Sequence, residues 1–481
     1  MKLLTLLPKK VLQKIREILL HYGKSLNYAQ LMTRSQQGAA QVALKAARQS
    51  EAYRTLLQEK KIDPASIKGN SDWAALPVLT KENTFARFTL AQLSRPHACA
   101  DLADVLTSSG RSGRSFGFKL TSHAEQESAW FDIDLGLQDL FKVDQLDTLL
   151  VNCLPMGVVF PSRAVTVANV SVREDMACAL LRDIGPRFQQ TLLCTDPLFI
   201  RRILDEAHTM GLDWTALNTS VIMGEEMLVE AQRDYLAARM GIDLDNDSHR
   251  LIGSSYGVGE LGLNLLFETR ETIKMRRALR THAEVAHLLL RTGTTQAPPC
   301  VFCFNPLRCL IEVINPEANG FGELCITVLN PDALIALPRY ATGDMGRVVS
   351  RSDAQQAAAL AGTHCPWLPL VVLSGRLKDR PAGMPSVESI KTMIYTDSAV
   401  ADQLTGAFEI SNNAQGRTQI SVQANSDKAA LDPWLHAQLH LLLNRTHPQR
   451  IHLEILPPKE FPHRPILDFE RKFSYMRRAP E

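Results

Sequence analysis

Short apolar runs alternate with longer stretches of helical period through the middle of the chain. TLLVNCL (148–154) stops at Pro155, and LLC (192–194) leads into Thr195, Asp196 and Pro197. Asp is a preferred N-cap and Pro suits the first helical position, so LFIRRILDEAHTM, closing at Gly211, is predicted to be a helix. SVIM (220–223) predicts a strand, MLVEAQRDYLAARM up to Gly241 a helix, and RLI (250–252) a further strand running into Gly253. Strands alternating with helices argue for an α/β unit with a largely parallel sheet, whose strand ends carry loops able to bind ligands.

The pattern changes near residue 300. CVFCF, CLIEVI, ELCITVL, GRVVS and PLVVL follow as strands without intervening helices, which predicts an antiparallel β subdomain over about 300–374. After Ser374, AFEIS and TQISVQA flank Asn412 to Gly416 as a hairpin, LDPWLHAQLHLLLNRT reads as a helix and RIHLEIL as a last strand. The expected fold is α/β. A large N-terminal domain, 1–375, carries parallel sheet, helices and the antiparallel subdomain, and a small α+β C-terminal domain, 376–481, follows.

Near the N-terminus, Val11, Ile15, Ile18 and Leu19 recur at helical spacing among Lys14, Arg16 and Glu17. This predicts a helix packed on its own domain, with a membrane-surface helix as the alternative that the same amphipathic pattern allows. Pro8, Lys9 and Lys10 interrupt the apolar run and no small-residue cleavage site follows, which argues against a signal peptide. No run of about 18 apolar residues predicts a transmembrane span.

The 481 residues predict about three folding units, and 45% hydrophobic with 22% charged residues excludes global disorder. Lys plus Arg is 53 against 51 for Asp plus Glu, a net +2, so no strong overall field recruits nucleic acid. Nine cysteines, odd in number and irregularly spaced, read as reduced thiols of a cytoplasmic protein. Cys300 and Cys303 form a CxxC with Cys309 nearby, which raises a structural zinc site, but no second CxxC follows and buried thiols in a strand are the plainer reading. His436 and His440 share a helix face without a third ligand.

Several loops carry candidate chemistry. Thr107-Ser108-Ser109-Gly110-Arg111-Ser112-Gly113-Arg114-Ser115 combines glycines, which let backbone N–H groups turn inward, with hydroxyl donors and guanidinium charge, a mixture suited to a polyphosphate. It lacks the Gly-Lys-Ser/Thr ending of a P-loop, and flexible Gly/Ser loops are common. Residues 257–262 spell GxGxxG after a predicted strand, which opens a dinucleotide-binding, NAD-dependent oxidoreductase reading. Glu260, between the second and third glycines, would face the pyrophosphate in that reading and makes better sense as a Mg²⁺ ligand beside phosphates. Asp344 closes RYATGD, where a carboxylate can accept both hydroxyls of a ribose or simply cap a turn. SGRLKD (374–379) falls at the composition change, and ERKF (470–473) near the C-terminus.

In order and spacing these segments resemble the adenylate-forming superfamily of acyl-CoA synthetases, peptide-synthetase adenylation domains and luciferases. TSSGRSGRSFG is similar to its phosphate loop, MGEE (223–226) to its GAEP or GGEP segment, YGVGE (256–260) to its Tyr-Gly-x-Thr-Glu motif, RYATGD to its Tyr-x-Thr-Gly-Asp, GRLKD to its hinge and ERKF to its terminal lysine motif. YRTLLQEKKIDPASI and WAALPVLTKEN, within 53–83, resemble the opening of the phenylacetate-CoA ligase-like branch. The resemblance implies that ATP and a carboxylic acid give an acyl-adenylate, which a thiol then converts to a thioester. It implies that Ser108, Ser109, Gly110, Ser112 and Gly113 hold phosphates, Glu260 ligates Mg²⁺, and Gly224, Glu225, Tyr256 and Gly257 border adenine. Asp344 would bind ribose, Arg376 would sit beside ribose and phosphates, Lys378 would be the hinge and Lys472 the catalytic lysine. The branch implies an aromatic or other hydrophobic acid, with CoA as the default acceptor and an acyl carrier protein's phosphopantetheine as the other. Cys153, Met156, Val159 and Phe160 are candidates for the acid pocket, with core packing the plainer reading of each. Gly259 stands where the family has Thr or Ser and Arg471 where it has Gly, so a degenerate homologue that binds nucleotide without turnover is the rival reading.

Overall fold

The computed structural model describes residues 7–64, 67, 73–107, 116–155, 157–376, 384–412, 417–446, 451–462, 468–470 and 472–477. Ser108, Ser109, Gly110, Ser112 and Gly113 of the serine-rich loop, Met156, Lys378 and Arg471 lie outside the described residues.

Eleven strands form one mixed sheet. In spatial order they are Cys309–Ile314, Gly322–Val328, Tyr340–Val349, Leu370–Arg376, Cys300–Phe304, Gly262–Phe267, Ile252–Val258, Thr219–Met223, Gln190–Thr195, Thr148–Asn152 and Thr166–Asn169. The pairings from Thr166–Asn169 through Ile252–Val258 are parallel, and all the others are antiparallel. Every residue of Thr148–Asn152 and Gln190–Thr195 is buried, because crossover helices such as Ile200–Thr209 and Glu230–Met240 leave a parallel sheet no wet face. The expected alternation of strand and helix is therefore present.

The antiparallel half differs from expectation in where it starts and in what interrupts it. It begins at Gly262–Phe267, before residue 300, and helices Arg270–Ala278, Ala283–Leu290 and Arg351–Leu360 punctuate it. Two of these helices begin at side-chain caps, with Thr269 accepting from Thr272 N and Ser350 from Asp353 N. The N-terminal helix spans Lys9–Ser25 and packs Leu12 against Trp130 and Phe131 of helix His123–Phe141. Its buried Arg16 donates from Nε to Asp144 Oδ2 at 2.9 Å. A second helix, Tyr28–Gln49, lays an alanine-rich face over strands 309–314 and 322–328. No helix among the described residues is long and apolar enough to cross a membrane.

The zinc expectation for Cys300, Cys303 and Cys309 fails on strand geometry. Cys300 and Cys303 are an odd number apart on Cys300–Phe304, so they point to opposite faces of the sheet. Cys300 packs with Phe302 and Cys309, whereas Cys303 packs with Val301 and Leu370. Burial pushes the Cys300 and Cys309 thiols up to about 12, so they stay protonated, and no metal-binding group of three ligands occurs among the described residues. His436 Nε2 lies 2.8 Å from Ala430 O instead of facing a metal.

Strands Leu404–Asn412 and Thr418–Ala424 pair antiparallel, and His452–Leu456 joins them in parallel. Helices Val387–Tyr395 and Pro433–Thr446 pack on this sheet, and one apolar cluster runs from Leu193 and Tyr235 through Ile390 and Tyr395 to Phe408 and Leu439. Arg201 adds polar contacts, donating to Ala401 O at 2.7 Å and Asp402 O at 3.0 Å.

Candidate active site

Strand Ile252–Val258 turns back on itself into Gly262–Phe267, pairing antiparallel with Val258 opposite Gly262. This settles the GxGxxG segment against a dinucleotide fold, which needs a helix after the turn. Gly257 serves the hairpin: a Cβ there would stand 2.8 Å from Leu263 Cα and 2.9 Å from Gly262 O. Glu260 sits at the hairpin end, buried, with Lys81 Nζ 2.7 Å from its Oε1. A Cβ at Gly117 would overlap the Glu260 side chain, so the backbone at Gly117 passes hard against this carboxylate.

Lys81 arrives by a short backbone pairing. Leu79 N donates to Arg339 O at 2.9 Å and Ala341 N to Leu79 O at 2.8 Å, which seats residues 79–81 beside strand Tyr340–Val349. Four residues along that strand is Asp344, buried, directly opposite Arg376. The Tyr256 hydroxyl donates to Asp344 Oδ2 at 2.7 Å, and Arg376 Nε donates to Oδ1 at 3.3 Å. Burial and the Asp344 charge push the Tyr256 phenol up, so it remains a donor.

Lys472 lies beside the other segment. Its Nζ is 3.8 Å from Glu225 Oε2, and both line a small cavity of about 20 Å³ with Asp196 and Glu226. Gly224 N donates to Thr195 O at 2.8 Å, anchoring the turn, and Glu225 takes a left-handed φ of 66°. The contacts thus tie Tyr256, Asp344 and Arg376 together, Glu260 to Lys81, and Lys472 to Glu225. Among the pocket candidates, Cys153 is buried in the apolar core, Phe160 packs partly buried, and Val159 is 68% exposed.

Five residues of this region were not among the sequence candidates for the site: Lys81, Asp196, Glu226, Lys391 and Tyr475. Lys81 and Glu226 fall inside segments already singled out for their resemblance, whereas Lys391 and Tyr475 carry no local signal. Asp196 Oδ1 accepts from Leu198 N at 2.8 Å and Phe199 N at 2.9 Å, as an N-cap residue should. Burial, with Glu226 adding to it, pushes its carboxyl up to about 7. A folded pKa above the unfolded value means stability fully present below about pH 4 and lost as pH climbs through about 7. Asp196→Asn keeps the acceptor oxygen and removes the titration. Its stability relative to wild type should rise between about pH 4 and pH 8, by up to about 4 kcal/mol, in thermal unfolding followed across that range.

No protein-family model matches the sequence, and no curated relative does either. Solved structures do match. A 2-hydroxyisobutyryl-CoA ligase in its postadenylation state aligns at 12% identity over 93% of this chain and 89% of its own, with a TM-score of 0.65. The fold is that of the adenylate-forming ligases. The same ligase with 2-HIB-AMP and CoA in the thioesterification state gives 0.53, at 12% identity over 94% and 90% of the two chains. An acyl acid amido synthetase, AtGH3.15, in complex with 2,4-DB gives 0.51 at 12% identity over 94% and 90%.

Proposed function

We propose that this chain is an AMP-forming acid–thiol ligase of the phenylacetate-CoA ligase-like kind. The observation that carries the reading is the convergence of Tyr256 and Arg376 on the Asp344 carboxylate, on this fold. A carboxylate is a poor electrophile because oxide would have to leave. Its oxygen attacks the α-phosphorus of ATP, the bond to the β-phosphate oxygen breaks, and pyrophosphate departs with the electron pair. A thiolate then attacks the acyl carbon and AMP leaves, giving the thioester. The first step sets anion against anion, so it needs fixed positive charge and donors.

Asp344 would accept the ribose hydroxyls, with Tyr256 and Arg376 holding it in place. Ser108, Ser109, Gly110, Ser112 and Gly113 would receive the phosphates. A magnesium ion needs only one or two protein carboxylates when nucleotide phosphates fill its other positions, and the buried Glu260 offers one, with Lys81 on Oε1. Glu260 is the residue that would hold it, and the ion would neutralise phosphate charge. Lys472 would bridge acyl and α-phosphate oxygens. The higher score against the postadenylation state supports an arrangement close to the adenylating one. Residues 376–481 would form the small domain that swings at Lys378 to withdraw Lys472 and admit the thiol. CoA is the expected acceptor, a carrier-protein phosphopantetheine the alternative, and an aromatic or other hydrophobic acid the substrate, in the cytoplasm.

The test is exchange of labelled pyrophosphate into ATP over a broad panel of aromatic and aliphatic acids, followed by thioester formation with CoA. Acid-dependent exchange is expected for at least one member. ATP binding without exchange for any acid would instead identify a homologue without turnover.

A further inference from the structure

Glu226 occupies the position of the proline in the GAEP pattern that MGEE resembles, and the structure gives this acid two partners from the C-terminal part of the chain. Lys391 Nζ lies 2.7 Å from Glu226 Oε2, and the Tyr475 hydroxyl donates to the same oxygen at 2.8 Å. The side chains of Lys391 and Glu226 are 5% and 8% exposed, and the Lys391 ammonium also lies 4.5 Å from the centre of the Tyr475 ring. Removing one partner of a bond shielded from water in this way costs more than losing a surface ion pair, because the other charge is left buried without its partner.

Both partners are fixed in their own unit. Lys391 belongs to helix Val387–Tyr395. Tyr475 is held by Ile410 N donating to its carbonyl at 2.8 Å and by ring contact with Phe408 at 4.6 Å. Tyr475 follows Lys472 by three residues, and its ring also packs on Phe473 at 4.8 Å. The carboxylate one residue away, Glu225, is the one Lys472 faces.

We infer that Glu226, Lys391 and Tyr475 form a clasp that positions Lys472 at the 223–226 turn for the adenylation step, three positioning residues acting through that lysine. The inference rests on the ligase reading for its catalytic meaning, but the clasp itself does not. Opening it exchanges the Glu226 contacts for water, so the clasp favours the arrangement that forms the adenylate over the one that consumes it.

The experiment has two arms on the full chain. In the first, nitroxide labels at the exposed positions Thr209 and Asp427, introduced as cysteines in a Cys99→Ser background, report the distance distribution between the two parts by pulsed electron resonance. Glu226→Gln and Tyr475→Phe should each add a second distance population that the parent lacks. In the second arm, with whichever acid of the panel exchanges best, both variants should lose about 10- to 100-fold in pyrophosphate exchange. Thioester formation from the supplied acyl-adenylate should change by less than about 3-fold, a split that general destabilisation does not produce. Tyr475→Phe removes one hydroxyl and no packing volume, so it keeps the test sound if Glu226→Gln folds poorly. Unchanged distances in Tyr475→Phe, or equal losses in both half-reactions, overturn the clasp. A parent that exchanges with no acid defeats the ligase reading while the distance arm still decides the clasp.

Discussion

Lys472→Ala is expected to lower acid-dependent pyrophosphate exchange by at least about 100-fold while leaving conversion of supplied acyl-adenylate to thioester nearly intact. The adenylation transition state gathers charge where a carboxylate oxygen meets the α-phosphorus. Removing one preorganised donor from such a place typically costs about 3–4 kcal/mol, which is two to three powers of ten in rate. In the proposed ligase the thioester step would require withdrawal of that lysine, so its loss there should be tolerated. Lys472 lies 3.8 Å from Glu225 and shares a cavity with Asp196 and Glu226, so an ammonium stands among three carboxyl groups, one of them raised to about 7. Lys472→Arg should restore little, because a planar guanidinium cannot replace a compact ammonium as a point charge between two oxygens. Exchange kinetics with the best acid of the panel, set beside single-turnover thioester formation, measure both quantities. Full exchange activity in Lys472→Ala would remove this residue from the mechanism.

Much of the fold was legible because period and caps are local. The alternation around 148–252 predicted the parallel half of the sheet, and the strands after 300 predicted most of the antiparallel half. The helices Arg270–Ala278 and Arg351–Leu360 carry local caps at Thr269 and Ser350, but each is a short element lying between strand-patterned runs, and strand period alone does not signal them. The site was legible in part. Motif order named Tyr256, Glu260, Asp344, Arg376 and Lys472, and the structure joins the first, third and fourth of these through one carboxylate. Their partners were not legible, since Lys81 meets Glu260 and Lys391 meets Glu226 only through tertiary packing across more than a hundred residues of chain. The carboxylate of Glu260 already argues against the GxGxxG segment as a dinucleotide site, and the hairpin agrees. Its glycines fit a tight hairpin as well as a phosphate turn, and the antiparallel strand that follows decides for the hairpin.

The largest stability effect is expected at Glu268, a residue that touches no proposed ligand. Arg233, Arg276, Glu230 and Glu268 are all fully buried beneath strand Ile252–Val258. Arg233 Nη2 lies 2.8 Å from Glu268 Oε2, and Arg276 Nη1 lies 3.1 Å from Oε1. Arg233 and Arg276 also reach Glu230 at 3.0 and 3.3 Å. Burial opposes ionisation of Glu230, yet the two guanidiniums hold its carboxyl below the ordinary value. Stability from that carboxylate is present above its unfolded pKa and is lost as pH falls through the lower folded value. Glu268→Ala would leave two guanidiniums sharing one carboxylate in a dry interior, and breaking such a pair costs about 3–5 kcal/mol. The corresponding fall in Tm for a chain of this length is about 3–6 °C, measurable by calorimetry. Glu268→Gln keeps the shape and one acceptor and should fall between Glu268→Ala and wild type. A change within about 2 °C for Glu268→Ala would mean that the arginines are neutralised from elsewhere. The functional consequence follows from one further bond: Glu268 Oε2 accepts from Ser254 N at 2.9 Å, two residues before Tyr256. Loss of that acceptor loosens the strand whose tyrosine holds Asp344, so Glu268→Ala should weaken ATP binding even at temperatures where the protein remains folded.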